Sequence, residues 1–141
     1  METAANKTIT VETIVKAPIE KVWKFWTEPE HITQWAFASD DWHAPHAEND
    51  LRTGGKFKTT MAAKDGSFSF DFEGVYTDVM EHGLIEYEIA DGRKVKITFS
   101  SVDDGTKVVE TFEAEGTHSI EQQLTGWQAI MDNFKKHTEA G

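Results

Sequence analysis

The spacing of hydrophobic residues changes character several times along the chain. In residues 8–16, Thr-Ile-Thr-Val-Glu-Thr-Ile-Val-Lys, the side chains of Ile9, Val11 and Val15 share one parity, which predicts a half-buried strand. Ala17-Pro18 closes it, and Pro18 suits the first turn of a helix, where its missing N–H is not needed. Ile19, Val22, Trp23 and Trp26 then fall at i, i+3, i+4 and i+7, a short amphipathic helix with a bulky stripe. Pro29 opens a second short helix over residues 29–35, with Ile32 and Trp35 facing inward. Residues 37–54 show no period and many turn formers, so a long loop is expected there.

From Gly54-Gly55 onward the period is two. Phe57, Thr59 and Met61 alternate, then Phe68, Phe70 and Phe72 with Tyr76, then Ile85, Tyr87 and Ile89, then Val95, Ile97 and Phe99. Val108, Glu110, Phe112 and Ala114 share a face of the last strand. Asp65-Gly66, His82-Gly83, Asp91-Gly92 and Asp104-Gly105 supply the turns, and Gly74 marks a bulge or a close backbone approach. This is an antiparallel meander with one wet face. Near the end, Ser119 and Gln122 form a capping-box signature, and Ile120, Leu124, Trp127, Met131 and Phe134 follow at helical spacing. The pattern predicts one helix over residues 119–137, the only element long enough to cover a sheet of six or seven strands.

Composition narrows the function classes. The chain has 141 residues, the size of one ordinary domain, and no cysteine, so neither disulfides nor a thiol nucleophile is available. Five Trp, nine Phe and two Tyr supply large apolar payloads. Fourteen basic against 25 acidic residues give a net charge of −11, which argues against nucleic acid and anionic membrane surfaces as partners. No apolar run is long enough to span a bilayer, and Met1–Lys7 contain no apolar leader stretch, so a cytoplasmic location is expected. A phosphate-binding glycine loop and a nucleophile elbow are both absent from the sequence.

The order of elements resembles the α+β helix-grip fold, a curved antiparallel sheet wrapped on a long C-terminal helix, with two short helices after the first strand. The residues sharpen the match. Ala17-Pro18-Ile19-Glu20-Lys21-Val22-Trp23, Trp35, Asp50-Leu51-Arg52-Thr53-Gly54-Gly55-Lys56-Phe57, Phe72-Glu73-Gly74-Val75-Tyr76 and Gly126-Trp127 resemble the activator-of-heat-shock-protein-ATPase homologue family of the START-like (SRPBCC) superfamily. The resemblance covers about residues 8–138 and implies a single START-like domain over 1–141. Superfamily members include ligand carriers, co-chaperone domains and cyclases, so it implies a fold more sharply than a function.

The fold so implied has a cavity between the sheet and the last helix. Phe57, Met61, Phe70, Phe72, Tyr87, Ile97, Phe99 and Phe112 would line it from the sheet. Trp127, Met131 and Phe134 would come from the helix, with Trp26 and Trp35 from the short helices. Such walls suit a small apolar or aromatic ligand, unless the rings fill the space and leave no cavity. Glu110 is the most informative charge: parity turns it inward as a polar anchor with a raised pKa, whereas a register slip would return it to solvent. Gly126 marks either a gap for a ligand or a close helix–sheet approach. His43 and His46 lie among carboxylates without the frame of a metal motif, so no metal or other cofactor is expected. Trp42 reads as a lid or as loop packing, and Arg52 is expected to pair with Asp50. The expected function is binding of a small apolar molecule. The alternatives are a co-chaperone-type interaction module with a chaperone partner, which the charged outward positions Lys58, Glu86, Glu88, Lys94 and Lys96 oppose, and a cyclase using Glu110 with Tyr87.

Overall fold

A computed structural model describes residues 8–116 and 118–141; the reading of Met1–Lys7 lies outside the described residues. The order is β1 (Thr8–Val15), α1 (Ile19–Thr27), α2 (Pro29–Trp35), β2 (Trp42–Asn49), β3 (Lys56–Ala63), β4 (Ser69–Met80), β5 (Leu84–Ile89), β6 (Lys94–Val102), β7 (Gly105–Glu113) and α3 (Ile120–Ala140). The seven strands form one curved antiparallel sheet in the order β1-β7-β6-β5-β4-β3-β2, so the first strand closes against the last. With α3 lying across the concave side, this is the helix-grip arrangement.

The period-two residues set the sheet faces as their parity requires. Ile85, Tyr87, Ile89, Val95, Ile97, Phe99, Val108 and Phe112 are all buried, while Glu88, Lys94 and Lys96 are exposed on the far side. There Glu86 stands opposite Lys96 and Glu88 opposite Lys94 across the β5–β6 ladder. Two register shifts bend the sheet, one between Tyr76 and Asp78 on β4 and one between His43 and His46 on β2. Gly74 is not at a bulge. A Cβ there would stand 2.5 Å from the Glu88 carbonyl oxygen and 3.0 Å from the Phe57 ring, so the glycine serves close approach.

Three expectations need correction. Residues 42–49 form a strand and not a loop. This strand is a sheet edge that pairs only with β3, buries Ala44 and accommodates Pro45 at its bulge, so no period-two signal was required of it. Phe68 and Phe70 alternate with Phe72 but are 59% and 42% exposed, because that end of the β3–β4 hairpin runs past the helix layer. Leu124 is 39% exposed, and Gln123 is buried in its place. Gln123 Oε1 accepts the Glu115 N–H at 2.8 Å, and its Nε2 donates to the carbonyls of Glu115 and His118 at 3.1 and 2.9 Å. These bonds fix the rotation of the first helical turn.

The capping box forms as the sequence predicts: Ser119 Oγ accepts from the Gln122 N–H at 3.1 Å and Gln122 Oε1 from the Ser119 N–H at 3.2 Å. The helix runs unbroken through Gly126. It also closes the β1 edge, since Gln128 Nε2 donates to the Glu12 carbonyl at 3.3 Å and Lys135 Nζ to the Ile14 carbonyl at 2.9 Å. Phe134 is fully buried between Trp26 and Trp35, with ring centroids 4.7 and 5.0 Å away. Trp127 stacks flat on Phe112 at 3.8 Å but borders open space on its other side. Phe134→Ala should therefore cost about 3–5 kcal/mol, and Trp127→Ala less, since part of its surroundings is already empty. Urea denaturation of both variants checks this; a Trp127→Ala variant as unstable as Phe134→Ala would contradict it.

Candidate functional site

Between the middle strands and α3 lies a cavity of about 600 Å³. Ligand sites commonly fall between about 300 and 1,000 Å³. The concave faces of β3, β4 and β5 supply Phe57, Met61, Phe70, Phe72 and Tyr87 to its wall. Trp127 comes from α3, Trp26 from α1, Trp35 from α2 and Glu110 from β7. Trp26 lies against Trp35 at 4.9 Å, and Phe72 meets Trp127 edge-on at 6.0 Å. The rim carries Ser39, Phe70, His118 and Gln122, all exposed, so the space opens to solvent there.

Five of the residues expected in the wall stand elsewhere, Phe134 among them, enclosed between Trp26 and Trp35. Ile97, Phe99, Phe112 and Met131 are likewise buried core, one layer behind the cavity surface. Phe112 is covered by Trp127, and Phe99 by Trp23 and Trp26 at 5.2 and 5.9 Å. Parity gives the face of the sheet and not the depth at which helix side chains cover it. Conversely, the wall includes Ile32, Asn49, Tyr76, Arg93, Gln123 and Ile130, which the sequence reading did not assign to it. Ile130 follows Trp127 by three residues and was legible from helical spacing, whereas the polar members carried no signal. Trp42 begins β2 and meets Phe68 and Phe70 at 6.0 and 6.1 Å, an aromatic cluster beside the mouth.

Gly126 also borders the cavity, and a Cβ there would meet nothing within 4 Å. Close helix–sheet approach is therefore not its reason; the glycine widens the space. Arg52 pairs with Asp50 as expected, Nε donating to both carboxylate oxygens at 3.0 Å. His46 Nε2 lies 2.9 Å from Glu48 Oε2 at the surface. Among the described residues no group of three or more His, Cys, Asp or Glu side chains gathers as a metal site would need.

The polar groups of the wall divide into satisfied and unsatisfied. Tyr76 donates to Asn49 Oδ1 at 2.5 Å, and Asn49 Nδ2 donates to the Thr27 carbonyl at 2.6 Å. Arg93 Nε donates to Asp91 at 2.8 Å. His118 Nδ1 lies 3.0 Å from Glu115 Oε1. Glu110 is different. It is only 6% exposed, pairs in register with Ile97 on one side and Val11 on the other, and has no hydrogen-bond partner among the described residues. Burial pushes its pKa up to about 8. Tyr87, also buried, is raised well above the usual phenol range, first by burial and then by the Glu110 charge.

A carboxyl whose pKa is raised on folding stabilises the folded state below its unfolded pKa, and that contribution is lost as pH climbs through the folded value near 8. Glu110→Gln keeps the shape and removes the ionisation. It should be near neutral at about pH 4 and stabilising by about 1–3 kcal/mol at about pH 7. Denaturation midpoints across that range test this; a variant that is strongly destabilised at neutral pH would identify Glu110 as a paired structural carboxylate.

Similarity to known proteins agrees with this architecture. The family model described as Activator of Hsp90 ATPase homolog 1-like protein matches residues 16–139. The solution structure of the AHSA1-like protein from Aeromonas hydrophila superposes with a TM-score of 0.90 at 45% identity, over 95% of this chain and 93% of that one. A solution structure from Cytophaga hutchinsonii is 56% identical with a TM-score of 0.79, over 94% of this chain and 91% of that one. A crystal structure from Nitrosomonas europaea, 18% identical with a TM-score of 0.82 over 99% and 97%, shares the fold. No curated protein matches this chain. A family match over residues 16–139, with a structural likeness at this identity over nearly the whole length, means that the chain belongs to the Activator of Hsp90 ATPase homolog 1-like protein family.

Proposed function

We propose that this protein binds one small, apolar, ring-containing molecule in the cavity between the sheet and α3. The observation that carries the reading is the space itself. Well-packed interiors rarely leave voids much larger than a water molecule, yet about 600 Å³ stays open here between aromatic walls. A glycine in mid-helix costs roughly 1 kcal/mol against alanine, and Gly126 spends it to widen that same space. The family's other association, a chaperone partner, finds less support. An interaction surface of ordinary kind needs a desolvated apolar centre, and the outer face of the sheet carries Glu86, Glu88, Lys94 and Lys96 instead.

The neutral fluorophore N-phenyl-1-naphthylamine is a suitable probe. It should bind one molecule per chain with enhanced emission and shift the Trp127 indole N–H resonance more than the Lys94 and Lys96 amides. Gly126→Leu should project its side chain into the cavity without a backbone clash. That variant should melt no lower than the parent, because leucine is the better helix former, while probe affinity falls at least about tenfold. Shifts clustered on the outer face, or binding indifferent to Gly126→Leu, would reject an internal site and favour the interaction module.

A further inference from the structure

The internal-site reading leaves open which chemistry the cavity selects, and Glu110 bears on that choice. It is nine-tenths buried, aimed into the cavity, and without a partner among the described residues. A buried polar group that makes no hydrogen bond is costly, and a buried unpaired carboxylate more so. The neutral acid is the form such a position favours, and the direction of its pKa agrees. A neutral carboxylic acid has an O–H to donate. The Tyr87 hydroxyl on the same wall is a second donor without a partner among the described residues.

The acceptors nearby are already engaged. Asn49 Oδ1 takes the Tyr76 hydroxyl, Asp91 takes Arg93, and Glu48 and Glu115 stand beside His46 and His118 at the mouth. Two O–H donors thus face a largely apolar space, and neither makes a hydrogen bond among the described residues. The ionisable groups facing this space from the packed elements are Glu48 of β2, Tyr76 of β4, Tyr87 of β5, Arg93 of the β5–β6 turn, and Glu115 and His118 ahead of α3. Arg93 is close enough to act on Tyr87. Its positive charge disfavours a cationic ligand on that wall, and its own anion, Asp91, is in place.

We propose that the ligand is an apolar ring system carrying a hydrogen-bond-accepting oxygen, which the Glu110 carboxylic acid holds by donating its proton into a hydrogen bond, with Tyr87 as the second donor. This rests on the internal-site reading above. Site logic makes it discriminating: a pocket built to hydrogen-bond a ligand atom rejects the isostere that lacks it, because the buried donors are then left bare. Apolar partition alone would rank the pair the other way, since the hydrocarbon is the more hydrophobic molecule.

Competition against bound N-phenyl-1-naphthylamine tests it, with 9-fluorenone, its hydrocarbon isostere fluorene, and 2-naphthylmethylamine as the cationic control. Fluorenone should displace the probe roughly tenfold more tightly than fluorene. Glu110→Met should abolish that preference, and Glu110→Gln, whose amide still donates, should keep most of it. In the parent protein the preference should hold at about pH 6–7 and fall as pH rises past about 8 and the donor ionises; Glu110→Gln should show no such fall. Fluorene binding as well as fluorenone, displacement by neither, or a preference that survives Glu110→Met would overturn the donor assignment while the internal site stands. Tightest binding by the amine, lost in Glu110→Gln, would assign a carboxylate site for cations and overturn it too. If the probe itself does not bind, or ignores Gly126→Leu, the internal site fails and this assignment with it.

Discussion

One helix cannot cover seven strands. At about 4.8 Å between strands the sheet is roughly 29 Å across, against a helix diameter of roughly 10–12 Å with side chains. Most of the architecture follows from how that mismatch is handled. α3 packs closely along β1 at one edge and α2 along β2 at the other. Each helix turns an exposed edge into a covered one. Between them large rings reach the middle strands, Trp127 of α3 against Phe72 and Phe112, Trp23 and Trp26 of α1 against Phe99, while Phe134 packs on Trp26 and Trp35. Where those rings meet, the core is full. Where they do not, toward β3 and β4, the bulged strands bend away and a cavity remains.

Polar contacts also fix α3 in that position. Gln123 ties its first turn to the preceding loop, Gln128 and Lys135 reach the carbonyls of the β1 edge, and Asn133 Nδ2 donates to the Phe37 carbonyl at 2.5 Å. These bonds are directional, so they set helix rotation and distance where hydrophobic burial would tolerate several. The consequence is a helix that stands off part of the sheet and does not collapse onto it, leaving Leu124 outside and Gly126 over empty space.

Buried polar groups are matched here with few exceptions: Thr138 Oγ1 under α3 lacks a partner, and Glu110, a carboxyl facing the cavity, makes no hydrogen bond among the described residues. Around Glu110 the polar side chains of the cavity rim have partners: Arg93 with Asp91, His118 with Glu115, His46 with Glu48. The fold therefore has the means to satisfy such groups, yet leaves this one open in its apolar surroundings. Local inconsistencies of this kind, in a structure otherwise consistent across levels, concentrate at functional sites.

Much of this was legible in the chain. Strand parity placed Ile85, Tyr87, Val95, Ile97, Phe99 and Phe112 on the inner face, and it turned Glu110 inward with them. The capping box marked the start of α3, and Pro18 and Pro29 marked the two short helices. All of these are properties of a segment and its immediate neighbours, and periodicity reports them directly. The tertiary structure alone decided how far each inward face is covered. It made residues 42–49 an edge strand, because a single partner strand suffices to pair a segment with no period of its own. It put Phe68 and Phe70 at the mouth, Ile97 and Phe112 behind the wall, and Gly126 over a gap. Parity names the side of the sheet on which a residue stands; whether that side meets a ring, a cavity or solvent depends on where another element, distant in sequence, stops.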